Sequence, residues 1–285
     1  MKLEVPGKIF IAGEYGALRG FSTLSVAVDP AFVFSSKSPG QIDFHPESPA
    51  GMLPGENQIS GELHDPYEIG GMGKSTAEFL VKYHCQNSPS KSVQDIWSTY
   101  RKLHEDFQTP PSGVDLVTQV LGGYCVTEWW KNRFETQTWG FQNWDWMVGL
   151  TGHKIKTHEH LRDLKSLEWD EIGRINNKIV RAFEISDELG FLGSMMDWRK
   201  FLVNSGLEVE NTTQIIGKMI SVPGVLMAKG CGALGSDAVF ILFEKASHEN
   251  IEKAFKPLVQ KMIYSSQVSS LGMKVDYEDF NIRSL

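Results

Sequence analysis

The stretch PGKIFIAGEYGAL, residues 6–18, joins a short apolar run to a glycine-bearing turn. Residues 8–12 (KIFIA) and 23–28 (TLSVAV) have the composition of β-strands, and the glycines between them suit a turn. Residues 31–35 (AFVFS) extend the pattern, so we expect a β-sheet here. This arrangement puts Lys8 at the entrance to the first strand and Glu14 on the turn after it. Taken alone, the stretch is equally compatible with an ordinary strand and turn.

A second glycine segment, GGMGKSTA at residues 70–77, leads into a run of helix formers. Glycine lets backbone N–H groups approach a ligand, and the first N–H groups of a helix lack partners, so the segment is a candidate anion site. Its end matches the P-loop pattern G-x-x-x-x-G-K-[ST], but Glu68 stands where that pattern needs its first glycine. The preceding residues, HDPYEI, are not a buried hydrophobic strand either. Both facts disfavour a P-loop.

Two further segments carry candidate functional residues. Residues 111–123 (PSGVDLVTQVLGG) place Asp115 after a tight turn, at the start of an amphipathic helix. An Asp at that point caps the helix or supplies a functional carboxylate, and the residues alone leave both interpretations open. Residues 229–238 (KGCGALGSDA) form a third glycine segment ahead of a strand predicted over 238–244. A glycine hairpin packed beneath another strand explains that segment equally well.

The charge, cysteine and hydropathy patterns argue against several classes of protein. The 35 acidic and 28 basic residues give a net charge of -7, and no basic tract marks a nucleic-acid surface. The three cysteines lack CxxC or Cys/His ligand spacing, which indicates reduced thiols in a cytoplasmic protein. No run reaches the roughly 20 apolar residues that span a bilayer, and no signal-peptide pattern is present. We expect neither a nucleic-acid partner nor membrane association.

The order of the predicted elements indicates an α+β fold, with strands first and helices later. Earlier helices are predicted over 75–83 and 92–107. The later predicted helices cover residues 157–166, 169–189, 197–205, 211–220 and 250–261. The aromatic strand predicted over 141–150 is followed by Gly152, so we place a domain boundary near residue 148. The predicted domains are residues 1–148 and 149–285.

In this order, the four segments resemble the motifs of the GHMP kinases, which include galactokinase, homoserine kinase, mevalonate kinase and phosphomevalonate kinase. That family has an early PGK segment, a phosphate loop similar to P-x-x-x-G-L-G-S-S-A-A, an SGxD segment and a late glycine loop. Within the family the sequence most resembles phosphomevalonate kinase, because Gly13-Glu14-Tyr15 is similar to its GEY motif. Residues 232–238 (GALGSDA) and 148–161 (VGLTGHKIKTHEHL) also resemble segments of that member. Lys74 departs from the family pattern, since it replaces a serine of the phosphate loop.

The resemblance implies an N-terminal S5-like α/β domain and a C-terminal ferredoxin-like α+β domain. It also implies ATP and Mg²⁺ as cofactors and transfer of the γ-phosphate to a small acidic metabolite of the mevalonate pathway. Asp115 corresponds to the family's catalytic Asp, and Lys8 is expected between the acceptor and the γ-phosphate. We expect a cytoplasmic monomer or homodimer.

The remaining site residues follow from the same resemblance. The residues expected to hold the ATP phosphates are Gly71, Gly73, Lys74, Ser75 and Thr76. The late glycine loop contributes Gly232, Ala233 and Gly235. The expected Mg²⁺ ligands are Ser75 and Glu105, with Asp106 as the alternative carboxylate. The expected substrate contacts are Glu14, Tyr15, Ser112, Lys154 and Lys156, and Arg199 and Lys200 are further cations that could face an acidic acceptor.

Two alternatives stay open at this point. The first is a mevalonate kinase or another GHMP kinase in place of a phosphomevalonate kinase. The second is a non-catalytic protein with the GHMP fold that binds a metabolite or a nucleotide, which the substituted glycine loops motivate.

Overall fold

The computed structural model describes residues 1–68, 71–87, 92–107, 109–152, 167–236 and 238–277. The strands are β1 (Lys2–Ala12), β2 (Thr23–Ser35), β3 (Gln41–Asp43), β4 (Gln58–Ser60), β5 (Glu62–His64), β6 (Tyr124–Glu128), β7 (Arg133–Gln137), β8 (Trp144–Leu150), β9 (Val225–Cys231), β10 (Ala238–Glu244), β11 (Lys261–Tyr264) and β12 (Lys274–Asp276). The α-helices are α1 (Pro49–Met52), α2 (Lys74–Gln86), α3 (Val93–Lys102), α4 (Val114–Leu121), α5 (Trp169–Glu184), α6 (Glu188–Asn204), α7 (Glu210–Ile220) and α8 (His248–Phe255). Among these helices, none is long and apolar enough to cross a bilayer.

The first sheet is antiparallel and has the strand order β12-β1-β2-β6-β7, with β5 also paired to β2. Strands β1 and β2 pair along most of their length, from Lys2 opposite Ser35 to Ala12 opposite Leu24. Helix α4 packs on β1, β2 and β6. The start of this helix therefore lies close to the middle of β1.

Strand β1 begins earlier than the sequence pattern predicts. We expected it to start at Lys8, at the beginning of the KIFIA run. Instead the strand continues through Pro6 and Gly7 by a register shift between Val5 and Gly7, which lets one strand accommodate an irregular residue. Lys8 consequently lies inside the strand, opposite Ala27, and not at its entrance.

The second sheet is antiparallel and has the order β11-β8-β10-β9. Its central strand β10 is buried at residues 238–243, which explains a continuous apolar run in place of an alternating one. On one face, Ile241 packs with Ile216 of α7 in a separate apolar cluster. On the other face, Phe240 and Trp146 belong to the main core, which also includes residues of the first sheet.

The helices predicted over 169–189 and 197–205 correspond to α5 and α6, but the break between them lies elsewhere. Asp187 determines its position, because its carboxylate accepts a hydrogen bond from Gly190 N at 3.0 Å and caps α6. Gly190 and Gly193 lower the helix propensity of this segment. The buried apolar residues of α6 compensate for them by packing into the main core.

The C-terminal part differs more from the predicted elements. The helix predicted over 250–261 ends at Phe255, and Pro257 soon after it prevents continuation, so residues 261–264 form β11 instead. The sequence pattern did not predict β7, β9 or β12. The helix predicted over 157–166 lies outside the described residues.

The two sheets do not coincide with two consecutive halves of the chain. Strand β8, which spans the predicted boundary near residue 148, belongs to the second sheet. Strand β12 returns to the first sheet, with Lys2 opposite Asp276 and Glu4 opposite Lys274. The division of the chain into domains 1–148 and 149–285 stays a prediction.

A buried hydrogen bond joins the two sheets. Trp146 of β8 donates from Nε1 to the hydroxyl of Tyr124 in β6 at 2.9 Å. The indole is fully buried and stacks on Phe240 with 6.0 Å between ring centroids. Since a buried indole N–H needs an acceptor, the Tyr124 hydroxyl should contribute to stability.

Replacing Tyr124 with Phe should lower the free energy of unfolding by about 1–3 kcal/mol, because the buried N–H of Trp146 loses its acceptor. Urea titration followed by circular dichroism measures this loss. The matched control is the double variant Tyr124→Phe/Trp146→Phe, which removes donor and acceptor together. Its loss should be smaller than the sum of the two single losses, and additive losses would contradict the assigned hydrogen bond.

Candidate active site

Lys8 and Asp115 form an ion pair at the centre of the candidate site. Lys8 Nζ lies 2.8 Å from Asp115 Oδ1, and the two side chains are 11% and 34% exposed. The ammonium group also lies over the ring of Phe10, 4.3 Å from its centroid. The protein thus shields the pair partly from water, which strengthens the attraction between the two charges.

Asp115 is the second residue of α4, and the N-cap of that helix is Gly113. Gly113 has a φ of 75°, a left-handed conformation that favours glycine. The interpretation of Asp115 as the N-cap is therefore wrong. Its carboxylate is available to Lys8 because the backbone turn at Gly113 starts the helix without a side-chain cap.

Gln119, which sequence reasoning missed, connects the second glycine segment to β1 and α4. Its Nε2 donates to Pro6 O at 2.9 Å and to Gly73 O at 3.2 Å. Its Oε1 accepts a hydrogen bond from Thr76 Oγ1 at 2.6 Å. Both Gln119 and Thr76 are buried, so the Thr76 hydroxyl serves the loop's internal structure. Nothing in the sequence singles out Gln119, because the helix also carries Asp115 and Thr118 and the partners of Gln119 lie in distant segments.

The start of α2 is open to an anion. Residues 71–73 before it are all left-handed, with φ values of 75°, 56° and 85°. The backbone N–H of Lys8 donates to Met72 O at 3.0 Å, which fixes this loop beside β1. No side chain caps α2, and Ser75 in its first turn is exposed. Uncapped N–H groups and the positive end of the helix dipole both favour a negatively charged ligand.

Lys74 does not extend freely from this helix start. Its Nζ lies 3.2 Å from Asp65 Oδ2, just after β5. Partial burial of Asp65 opposes its ionisation, but hydrogen bonds from the backbone of Tyr67, from Lys74 and from the backbone of Glu68 outweigh it and lower the pKa of Asp65. Asp65 therefore remains charged at neutral pH and neutralises Lys74.

The late glycine loop is held by Tyr15, whose hydroxyl accepts a hydrogen bond from Leu234 N at 3.1 Å. Gly232, Leu234 and Gly235 all have left-handed backbones, with φ values of 86°, 53° and 62°. Thr212 fixes the far side of the loop by donating from Oγ1 to Gly235 O at 2.8 Å. Tyr15 is only 5% exposed, so it acts as a support beneath the loop.

The second and third glycine segments meet at a small cavity. Its lining includes Lys8 from β1, Gly71 and Met72 from the loop before α2, and Cys231 and Gly232 from the end of β9. Since Asp115 pairs with Lys8, this cavity brings the ion pair and both glycine segments to one place.

A second ion pair, between Glu14 and Lys229, lies deeper in the protein. The Lys229 side chain is fully buried and donates from Nζ to Glu14 Oε1, and Trp198 Nε1 donates to Glu14 Oε2 at 3.1 Å. Burial opposes the charge on Lys229, but contacts with Cys231 and Glu14 outweigh it and raise the pKa of the amine. Burial raises the pKa of Cys231 to about 11, so its thiol is neutral. The pair joins the turn after β1 to strand β9.

Comparisons with known proteins agree on the fold. No family model matches the sequence. A mevalonate kinase from Aeropyrum pernix is 22% identical, and the alignment covers 96% of this chain and 98% of that protein. The structure of Streptococcus pneumoniae phosphomevalonate kinase in complex with phosphomevalonate and AMPPNP superposes with a TM-score of 0.72, at 14% identity over 93% of this chain and 99% of that one. The Methanococcus jannaschii mevalonate kinase gives a TM-score of 0.65, at 16% identity over 93% and 97% of the two chains.

The chain has the GHMP kinase fold. The predicted resemblance to this family and the predicted α+β class are confirmed. The chain is similar to both mevalonate and phosphomevalonate kinases. The greater likeness to phosphomevalonate kinase therefore stays a prediction.

The residues expected to contact the substrate differ in their burial and in the partners they already have. Glu14 is already paired with Lys229, and Ser112 is half-buried, with its hydroxyl accepting a hydrogen bond from Val114 N at 3.3 Å. Lys154 and Lys156 lie outside the described residues. Of the two further cations, Arg199 pairs with the buried Glu208, whereas Lys200 is exposed.

The described residues supply few candidate ligands for Mg²⁺. Glu105 and Asp106 are exposed and follow the end of α3. No cluster of three or more His, Cys, Asp or Glu side chains suited to a metal occurs in the part of the chain that the structure describes. This composition fits a magnesium ion that is held mainly by nucleotide phosphates and water, with one or two protein oxygens. The exposed hydroxyl of Ser75 at the start of α2 is of the required type.

Replacing Lys229 with Met should lower the free energy of unfolding by about 3–5 kcal/mol, because Glu14 is left as an unpaired charge in the interior. The measurement is the guanidinium unfolding midpoint and slope. In the matched double variant Glu14→Gln/Lys229→Met, the residual charge is gone and most of the stability should return. A double variant no more stable than Lys229→Met would argue against the ion pair.

Asp65→Asn should raise the affinity for ATP by up to about fivefold, because Lys74 is released and a carboxylate beside the anion site is removed. Isothermal titration calorimetry with ATP at fixed ionic strength measures the change. Asp43→Asn, which removes an exposed carboxylate on β3, controls for net charge and should leave the affinity unchanged. If the wild type and Asp65→Asn bind ATP with equal affinity, the Lys74–Asp65 ion pair does not influence nucleotide binding.

Proposed function

We propose that this protein is an ATP-dependent kinase that transfers the γ-phosphate of ATP to an acidic metabolite of the mevalonate pathway, with 5-phosphomevalonate as the preferred acceptor. The observation that carries the proposal is the Lys8–Asp115 ion pair, at a cavity that both glycine segments also line. Proteins of the same fold include a phosphomevalonate kinase and a mevalonate kinase, so mevalonate is the alternative acceptor.

The proposed position of the nucleotide follows from the start of α2. The uncapped N–H groups after Gly73 and the helix dipole favour the phosphates of ATP there. A magnesium ion bound with ATP would neutralise phosphate charge, and Ser75 is the residue we assign to hold it. Gly232 and its neighbours would close the opposite side of the same cavity.

Lys8 is suited to the charge that develops during transfer. In the proposed reaction an acceptor oxygen forms a bond to the γ-phosphorus, the bond from that phosphorus to the bridging oxygen breaks, and ADP leaves with the electron pair. The ammonium group of Lys8, held by Asp115 at 2.8 Å, would stabilise negative charge on the transferred group. The ion pair with Asp115 and the contact with the Phe10 ring orient the Lys8 side chain.

The role of Asp115 depends on the acceptor. A phosphate monoester has a second pKa of about 6, so 5-phosphomevalonate arrives largely deprotonated and needs little help from a base. In that case Asp115 mainly orients Lys8. For mevalonate, the carboxylate of Asp115 would also accept the hydroxyl proton.

The test measures ADP release with mevalonate and with 5-phosphomevalonate side by side, at saturating ATP. We expect turnover with 5-phosphomevalonate and much less with mevalonate. Faster turnover with mevalonate would reverse the substrate assignment. ATP binding without release of ADP in the presence of either acceptor would favour a non-catalytic binding protein.

Asp115→Asn should reduce turnover by roughly 10²–10⁴-fold, at the low end for a phosphorylated acceptor, while ATP affinity changes little. Asn keeps the size of the side chain but removes the charge that holds Lys8. Single-turnover transfer with bound ATP confirmed is the measurement, and Asp170→Asn, an exposed carboxylate at the start of α5, is the control. Near-wild-type transfer by Asp115→Asn would exclude the catalytic assignment.

A further inference from the structure

Residues 110 and 111, which come shortly before Asp115 and the start of α4, are contacted by a side chain of α3. Arg101 Nη1 donates to Pro111 O at 2.7 Å and lies 3.4 Å from Pro110 O. Neither proline has a backbone N–H, so hydrogen bonds can fix this dipeptide only through its carbonyl groups. An arginine side chain has donors and no acceptor, and it is therefore the right chemical type for this task.

A second residue of α3 holds the next carbonyl group. Trp97 Nε1 donates to Ser112 O at 3.0 Å. The indole also lies against Gly113, where an added Cβ would come within 2.7 Å of Trp97 Cδ1 and Nε1. The contact and the left-handed φ of Gly113 both require glycine. Three successive carbonyl groups, at residues 110–112, are thus contacted from α3 immediately before α4 begins.

The two side chains are themselves fixed by Trp129, which follows β6. The Arg101 guanidinium lies 4.5 Å from the Trp129 ring centroid, and the rings of Trp97 and Trp129 are 5.9 Å apart. Trp129 Nε1 in turn donates to Ala17 O at 2.6 Å. This stack of Arg101, Trp97 and Trp129 therefore connects the segment before Asp115 to the turn that carries Glu14 and Tyr15.

We propose that Arg101 and Trp97 are positioning residues, which hold residues 110–112 so that Asp115 reaches Lys8 at the observed distance. The inference rests on the proposed function, since it assigns these residues to phosphoryl transfer. Their hydrogen bonds go to backbone carbonyl groups of residues 111 and 112, so we assign their effect on Asp115 to the backbone. Because reactive groups must be held to within a fraction of an ångström, a small shift of this segment should be costly to transfer.

The main test variant is Trp97→Phe, which keeps an aromatic ring in the stack and removes the hydrogen bond to Ser112. It should lower kcat by about tenfold with little change in the KM for ATP, because the start of α2 is untouched. Arg101→Lys keeps the charge but loses the planar, stacked donor group, and it should lower kcat by a similar factor. The control is Trp130→Phe, the same chemical change at a neighbouring tryptophan that is 63% exposed.

A double variant separates positioning from a general structural role. If Trp97 acts through Asp115, adding Trp97→Phe to Asp115→Asn should cause little further loss of kcat, since the carboxylate it positions is already gone. A full additional tenfold loss in that background would overturn the inference. So would a kcat of Trp97→Phe equal to that of Trp130→Phe.

Amide hydrogen exchange gives a readout that does not depend on turnover. In Trp97→Phe and Arg101→Lys, the amide of Val117, which donates to Gly113 O at 3.1 Å, should exchange at least about tenfold faster than in the wild type, while the amides of α2 stay unchanged. Unchanged exchange at Val117 would overturn the inference even if the wild type is an active kinase. A wild type without transfer activity would overturn the proposed function, and with it the assignment of these residues to transfer, whatever the exchange rates.

Discussion

The carboxamide of Gln119 is the constraint on which the candidate site depends. A buried primary amide must satisfy its donors and its acceptor inside the protein, and this one does so with groups from three different elements. It fixes Pro6 in β1, Gly73 before α2 and Thr76 within α2. Since Gln119 belongs to the same helix as Asp115, the position of the carboxylate and the shape of the anion site are set together.

The two lysine–carboxylate pairs illustrate different uses of a buried charge. Glu14 and Lys229 are almost fully enclosed, and a third group, the Trp198 indole, satisfies the second carboxylate oxygen. Such a pair contributes specificity of packing more readily than net stability, because both charges have lost their water. Lys8 and Asp115 keep partial access to solvent, and their charges remain available to a ligand. The enclosed pair therefore supports the turn after β1, and the accessible pair is the one suited to chemistry.

The sequence predicted the α+β class and the likeness to the GHMP kinases, and the site residues that it suggested stay predictions. The glycine segments, Lys8 and Asp115 were singled out because their order along the chain resembles the motifs of the GHMP kinases, since each segment alone also fits an ordinary turn, strand or helix cap. Gln119 and Lys229 were not identifiable, because each acquires its partners only when distant elements of the chain come together. The same reasoning explains the missed strand β9 and the misplaced break at Asp187, where tertiary packing overrides the local preference of glycine. Lys74 was predicted to face phosphates, and its pairing with Asp65 could not be predicted from spacing.

Strand β12 has a consequence for the order in which the protein is made. Residues 274–276 pair with the first residues of β1, so this side of β1 cannot be covered until the ribosome has synthesised the chain past residue 276. Until then β1, already able to pair with β2, would present an open edge to other nascent chains. Completion of the first sheet therefore has to wait for residues 274–276, and a chain that stopped before them would leave this edge of β1 unpaired.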